Sequence, residues 1–217
     1  MDQPDLVATA GLPNPPVVGE PPPGRVALAA RIRELVEAAL LADDDAVDLL
    51  AAAARVGAVT ASLRPGARDT AALFAPLAGG GRLSVNNPVE GVGNPLAPPL
   101  VWHRTGADSV LAECVFSVAH EGPPGRVHGG WVAAVLDHAV GRAVASAGSP
   151  GMTASLTVDY HAGTPYGVPL HVEGRLVRRD GRRLSAAAEL RAGDQVTATA
   201  TAVLVLFRGV APARRQE

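Results

Sequence analysis

The sequence predicts an α+β domain in which an antiparallel sheet wraps around one central helix, preceded by a separate helical segment. Three observations carry this reading. Residues 129–147 are a long apolar helical stretch, opened by glycines and stopped by Gly148, Pro150 and Gly151. Strand-like runs follow at 153–161, 170–179, 184–191 and 195–207, with Asp180-Gly181 and Gly193-Asp194 as hairpin turns between the last three. A further alternating run at 110–119 precedes the helix. A helix this apolar must be buried, and a sheet folded around it is the simplest arrangement that does so.

Taken in order, residues 1–24 are proline-rich, lack apolar periodicity and read as a disordered arm. At 25–57 Ile32, Leu35, Val36, Ala39 and Leu40 recur at helical spacing, and Val47, Leu49 and Leu50 continue after Asp43-Asp44-Asp45. Two short helices joined at the aspartates are expected, with an acid opening the second. Residues 58–83 read as a linker in which Leu73, Phe74 and Leu77 could form a short helix over the domain. The triple glycine Gly79 to Gly81 lacks the lysine and hydroxyl residue of a phosphate loop. The sheet-and-helix domain is placed at 84–208, its opening stretch 86–99 too rich in turn formers for a long central strand, and 209–217 is a flexible tail.

Composition narrows the function. With 217 residues, 47% hydrophobic and 18% charged, the chain can hold one domain with a real core plus an appendage. A formal charge of −2 gives no global reason to expect nucleic acid or an anionic membrane. No apolar run approaches the ~18 residues of a membrane span. The acidic, proline-rich N-terminus does not resemble a signal peptide, and the single cysteine, Cys114, fits a reducing interior, so a cytoplasmic protein is expected. Cys114 lies in an alternating run and reads as a small buried hydrophobe. Spacings such as CxxC or HExxH are absent, so neither a metal nor a cofactor is expected.

The chemistry concentrates where the long helix begins, at His128-Gly129-Gly130. Glycines let a ligand approach the backbone closely, and the first N–H groups of a helix lack intrahelical partners. Backed by the positive end of the helix dipole, those donors suit a carbonyl oxygen becoming an oxyanion. Asp137 is the acid of the same helix, set among Val135, Leu136, Ala139 and Val140, and is a candidate general base or nucleophile. Gly129 and Asp137 are eight positions apart, about 12 Å along the axis. One reacting carbon needs both groups within about 3 to 3.5 Å of the relevant atoms. The site is therefore expected to be composite, with glycine donors from one protomer and the carboxylate from another.

The run from Pro123 to Gly130, Asp137 nine places after His128, and the run from Met152 to Tyr160 together resemble the hotdog-fold acyl-CoA thioesterases, nearest the phenylacetate-pathway and thioesterase-superfamily-member types. The resemblance spans roughly residues 84–208 and none of the first 80. It implies a hotdog fold and a thioester hydrolase acting on acyl-CoA as an obligate homodimer, or a dimer of such dimers. It also implies roles. His128 shapes the turn. Gly129, with Gly130, polarises the carbonyl. Asp137 is the catalytic acid, and Thr153 helps place the attacking water. Asp159 and His161 stand where some relatives contact CoA through an amide and a basic residue.

Other residues keep two readings. Arg178, Arg179, Arg182 and Arg183, with Arg175, surround the Asp180-Gly181 hairpin, where guanidinium forks suit CoA phosphates or simply form a solvated basic turn. Gly141, four residues after Asp137, leaves room for an acyl group or for close packing. Trp102 and Trp131 are pocket walls or core, and His103, His120, His138 and His171 share no ligand spacing. Two other activities fit the fold: a hotdog hydratase or dehydratase of acyl-CoA, and a non-catalytic acyl-CoA-binding or scaffold protein.

Overall fold

The computed structural model of the chain describes residues 21–67, 84–98, 100–104, 106–149 and 151–206. Helices α1 (Pro23–Leu40) and α2 (Leu49–Leu63) come first, followed by the loop 84–98. Then come β1 (Val101–Arg104), β2 (Ser109–Cys114), the long helix α3 (Gly129–Ser146), β3 (Gly151–Tyr160), β4 (Leu170–Asp180), β5 (Arg183–Ala192) and β6 (Gln195–Leu206). The strands form one sheet in the order β1-β2-β4-β5-β6-β3, antiparallel at every pairing. Helix α3 packs across one face of it, so the helix-in-sheet arrangement expected from the sequence is the one observed.

Local chemistry explains the boundaries. Proline at the first turn of α1 costs no hydrogen bond, because that N–H would be orphaned anyway. Asp48 caps α2 by accepting from the Ala51 N–H at 2.9 Å. Helix α2 continues past residue 57, where the helical segment was expected to end. The alanines at 51–54 before Gly57 and Ala58 and Ala61 after it are strong helix formers and carry the helix on until Pro65. Gly181 and Gly193 turn the last two hairpins with φ of 56° and 57°.

Two further differences from the sequence reading concern the strands before α3. The run 110–119 is a strand only to Cys114. Ser117 and His120 then form a reciprocal capping box around a short 3-10 turn at Val118–His120, which removes their backbone groups from the ladder. Strand β1 was not foreseen, because four residues between turn-rich stretches carry little periodicity. Residues 1–20, 68–83 (with Leu73, Phe74, Leu77 and the triple glycine) and 207–217 lie outside the described residues.

Small residues in the sheet let α3 lie close to it. Val110, Gly174, Ala188, Ala200 and Val158 are successive cross-strand partners from β2 through β4, β5 and β6 to β3. A Cβ at Gly174 would run into the Ala139 carbonyl of α3. Around this trough Val132, Val135, Leu136, Ala139, Val140, Ala143 and Val144 of α3 bury against Leu170, Val172, Leu184, Leu190 and Leu204. The two flanks of α3 differ. Asp137 faces β3, whereas His138 and Arg142 face the loop 84–98.

Strand β3 is the sheet's long edge. It has ten residues, no proline and one charge, Asp159, and most of its side chains are exposed. Natural proteins blunt or cover such edges because their unpaired backbone groups invite another strand.

Candidate active site

The glycine turn is held by two side chains and one backbone hydrogen bond, from different directions. His128 sits at the N-cap of α3, and its Nδ1 accepts the Gly130 N–H at 3.0 Å. Its own N–H donates to the His120 carbonyl at 2.8 Å, which ties the turn to the buried His120. Tyr160, at the end of β3, donates its hydroxyl to the Gly129 carbonyl at 2.9 Å, and a Cβ at Gly129 would meet the Tyr160 ring at 3.3 Å. The Gly130 N–H is thus engaged within the turn. Among the described residues the Gly129 N–H has no partner, and it is the donor left for a ligand.

Asp137 lies on the β3 side of α3, partly exposed, and Thr153 donates its hydroxyl to Asp137 Oδ1 at 2.8 Å. The pairing of β3 with β6 slips between Thr153 and Ser155, and a bulge of this kind re-aims a side chain beside a site. The second carboxylate oxygen stays open, and Thr153 Oγ1 keeps its lone pairs. Among the described residues nothing stands within 4 Å of where a Cβ of Gly141 would be, so within one chain this glycine opens onto free space. In a single chain Asp137 and Gly129 remain more than two helical turns apart on α3.

The basic hairpin divides. Arg179 turns inward, its Nη1 donating to Ser149 Oγ at 2.8 Å, and Arg182 Nη2 donates to the Leu206 carbonyl at 2.8 Å. Arg178 lies 3.7 Å from Asp180, both well exposed, and Arg183 is exposed. At the other end of β3, His161 Nε2 is 2.9 Å from Thr199 Oγ1 and Asp159 is exposed. The structure thus joins His128 to Gly130 and Asp137 to Thr153, and leaves Asp159, His161 and the arginines apart from both pairs.

The remaining candidates make packing contacts. His120 stacks edge-on against Phe116 and Trp131, and burial lowers its pKa. Trp102 packs over the Arg142 guanidinium at 5.5 Å. Burial pushes the Cys114 thiol up to about 12, so it is an unreactive core residue. Among the described residues no group of His, Cys, Asp and Glu could hold a metal ion, and no helix is long and apolar enough to cross a membrane.

Three residues that shape or flank the candidate site were not legible in the sequence. Tyr160 closes the sequence run already noted, but no spacing rule relates it to Gly129, 31 residues earlier. Glu90 is almost fully buried and lies in a turn-rich stretch. It accepts from Arg142 Nε and Nη2 at 2.8 and 2.6 Å and lies 2.9 Å from His138 Nε2, though out of line for a hydrogen bond. Arg33 of α1 reaches the carbonyls of the same stretch.

A helix wrapped by an antiparallel sheet, with a glycine turn at its mouth and an acid on its open side, is the hotdog arrangement expected from the sequence. Comparison with known proteins agrees. A family model described as Thioesterase superfamily matches residues 124–199. The crystal structure of a thioesterase superfamily protein, 32% identical, superposes with a TM-score of 0.77 over 86% of this chain and 97% of that one. Acyl-coenzyme A thioesterase THEM4 of Xenopus laevis is 34% identical over 74 residues, which is 34% of this chain and 33% of that protein. The match spans about a third of the length of that curated relative. The chain belongs to the thioesterase superfamily.

Proposed function

We propose that the protein is an acyl-CoA thioesterase whose site is completed by a second copy of the chain. The observation that carries this is the Thr153–Asp137 hydrogen bond on the open side of α3, on the same helix as an unpartnered Gly129 N–H. The acyl carbonyl oxygen points at the Gly129 N–H of one protomer. Asp137 of the other takes a proton from water held by Thr153, and the water oxygen bonds to the carbonyl carbon. The oxyanion collapses, the C–S bond breaks, and Asp137 returns its proton to the departing CoA sulfur. Direct attack by Asp137, giving an anhydride that water then opens, leads to the same products. Single-turnover hydrolysis in labelled water separates the two, because an anhydride that water opens at the Asp137 carbonyl leaves label in the protein, whereas direct attack by water puts all of it in the product acid.

The exposed β3 edge supports the assembly. Antiparallel pairing of β3 with its own copy about the strand's middle, between Ser155 and Leu156, sets Thr153 opposite Val158 of the second copy, two residues from its Tyr160. Tyr160 holds Gly129, and Thr153 holds Asp137, so such pairing joins the two half-sites. Each half-site also brings its own candidates for CoA. Arg178 and Arg183 lie at the Thr153 end of the sheet, Asp159 and His161 at the Tyr160 end, and they converge in the pair.

The test is a hydrolysis screen of the purified protein on short, long and aromatic acyl-CoAs, with enoyl-CoA hydration assayed in parallel. Asp137→Ala is expected to lower kcat by at least ~100-fold, as loss of an acid–base group does. Absence of hydrolysis on every acyl-CoA, or an unaffected Asp137→Ala variant, overturns this reading.

A further inference from the structure

We propose that Glu90 and Arg33 are positioning residues for Asp137: α1 and the loop 84–98 aim the catalytic helix from the side opposite β3. The inference rests on the catalytic reading of Asp137, and both residues lie outside the matched residues 124–199.

Helix α3 rests on a trough of glycine and alanine, Gly174, Ala188 and Ala200, which offers few side chains to interdigitate with it and resist its roll. Beyond the apolar side chains packed around that trough, polar contacts on both flanks set its roll. On one flank Thr153 holds Asp137. On the other, Glu90 takes the Arg142 guanidinium through both carboxylate oxygens, with His138 against the same carboxylate. Arg142 follows Asp137 by five residues, about 140° around the helix, so a roll that loosens one clamp strains the other. The Glu90 side chain is 2% exposed, and a charge so buried cannot leave its partner without a large desolvation cost.

Glu90 is itself held. Asn87 Oδ1 accepts the N–H groups of Val89 and Glu90 at 2.8 and 3.1 Å, which turns the chain so that Glu90 faces α3. Beyond it the carbonyls of Gly91, Val92, Asn94 and Ala97 converge on Arg33, whose Nη2 donates to the first three at 3.4, 3.2 and 2.7 Å and whose Nε donates to the last at 3.2 Å. A guanidinium fork can satisfy several carbonyls at once, which an ammonium cannot do with the same geometry. Contacts thus run from α1 through Arg33 and the loop to Glu90, then to α3 and Asp137.

The test compares full-length Glu90→Gln, Arg142→Met, the double variant and Arg33→Lys, each below its thermal midpoint. The readouts are kcat and KM on an acyl-CoA that the wild type cleaves, together with backbone deuterium uptake across 129–146. Glu90→Gln is expected to lower kcat by about 10- to 100-fold with KM within about twofold, the size of effect a misplaced group produces. Uptake in α3 should rise. The double variant, with both charges gone, should regain thermal stability but not kcat, and Arg33→Lys should lower kcat with KM unchanged. Recovery of kcat together with stability in the double variant, or wild-type kcat in folded Glu90→Gln, overturns the positioning role. If the wild type cleaves no acyl-CoA, the thioesterase reading fails separately. Unchanged α3 uptake in Glu90→Gln then overturns the positioning claim independently of activity.

Discussion

At the Tyr160 hydroxyl a short relay begins. It donates to the Gly129 carbonyl, the N–H of that same peptide belongs to Gly130, and that N–H donates to His128 Nδ1. Polarising one end of such a chain strengthens the next bond, so Tyr160 and His128 together hold the peptide plane next to the free Gly129 N–H. Tyr160→Phe keeps the ring beside Gly129 and removes only the donor. It is expected to lower kcat by about 2- to 10-fold, the worth of one net hydrogen bond, with KM little changed, as steady-state kinetics will show. His120 behind the turn carries a pH signature. Its Nδ1 accepts the Ser117 N–H at 3.2 Å, and burial lowers its pKa, so the fold favours the neutral ring. With the folded value below the unfolded one, the stabilisation is fully present above the ordinary histidine pKa and is lost as pH falls through the lowered folded value. Urea midpoints measured across that window should fall with pH in the wild type and fall less steeply in His120→Gln. Neither effect follows from spacing along the chain. Asp137, Thr153 and the glycines could be read because they share one helix and the strand after it. Tyr160, Glu90 and Arg33 act through contacts 31 to 64 residues apart, which no local pattern encodes.

Helices and strands were legible where their period was long and unbroken. Helix α3 and strands β3 to β6 lie within a residue or two of the expected bounds, because apolar repetition and Asp-Gly or Gly-Asp turns mark both ends. The elements that differ are those settled by side-chain to backbone bonds, such as the Ser117 box that shortens β2, or by weak propensities, such as the alanines that carry α2 through Gly57. That α3 packs on the sheet was legible, but how closely it approaches was not, since Gly174 looks like any strand glycine until the Ala139 carbonyl is seen above it. Its role gives a direct check. Gly174→Ala should cost about 1 to 3 kcal/mol through overpacking, read as a lowered thermal midpoint. Because Ala139 is two residues from Asp137, lifting the helix there should also reduce kcat, whereas a glycine-to-alanine change at Gly141, which faces open space, should leave stability within about 0.5 kcal/mol.

For the whole molecule, the decisive quantity is which protomer supplies which group. Gly129 and Asp137 are held eight residues apart on one helix, and in the proposed dimer symmetric pairing of the β3 edges makes two sites, each with one group from either chain. Two defective variants should therefore repair each other. Gly129→Pro removes the N–H donor at a helix position that tolerates proline, and Asp137→Ala removes the carboxylate. In a mixed dimer one site carries both lesions and the other carries neither. If equal amounts of the two are unfolded together and refolded, half of the dimers are mixed and each has one intact site, so the mixture should recover about a quarter of wild-type specific activity although either variant alone is nearly inactive. A site contained within one chain would give no recovery at any mixing ratio, and a protein that sediments as an active monomer would exclude the shared site outright.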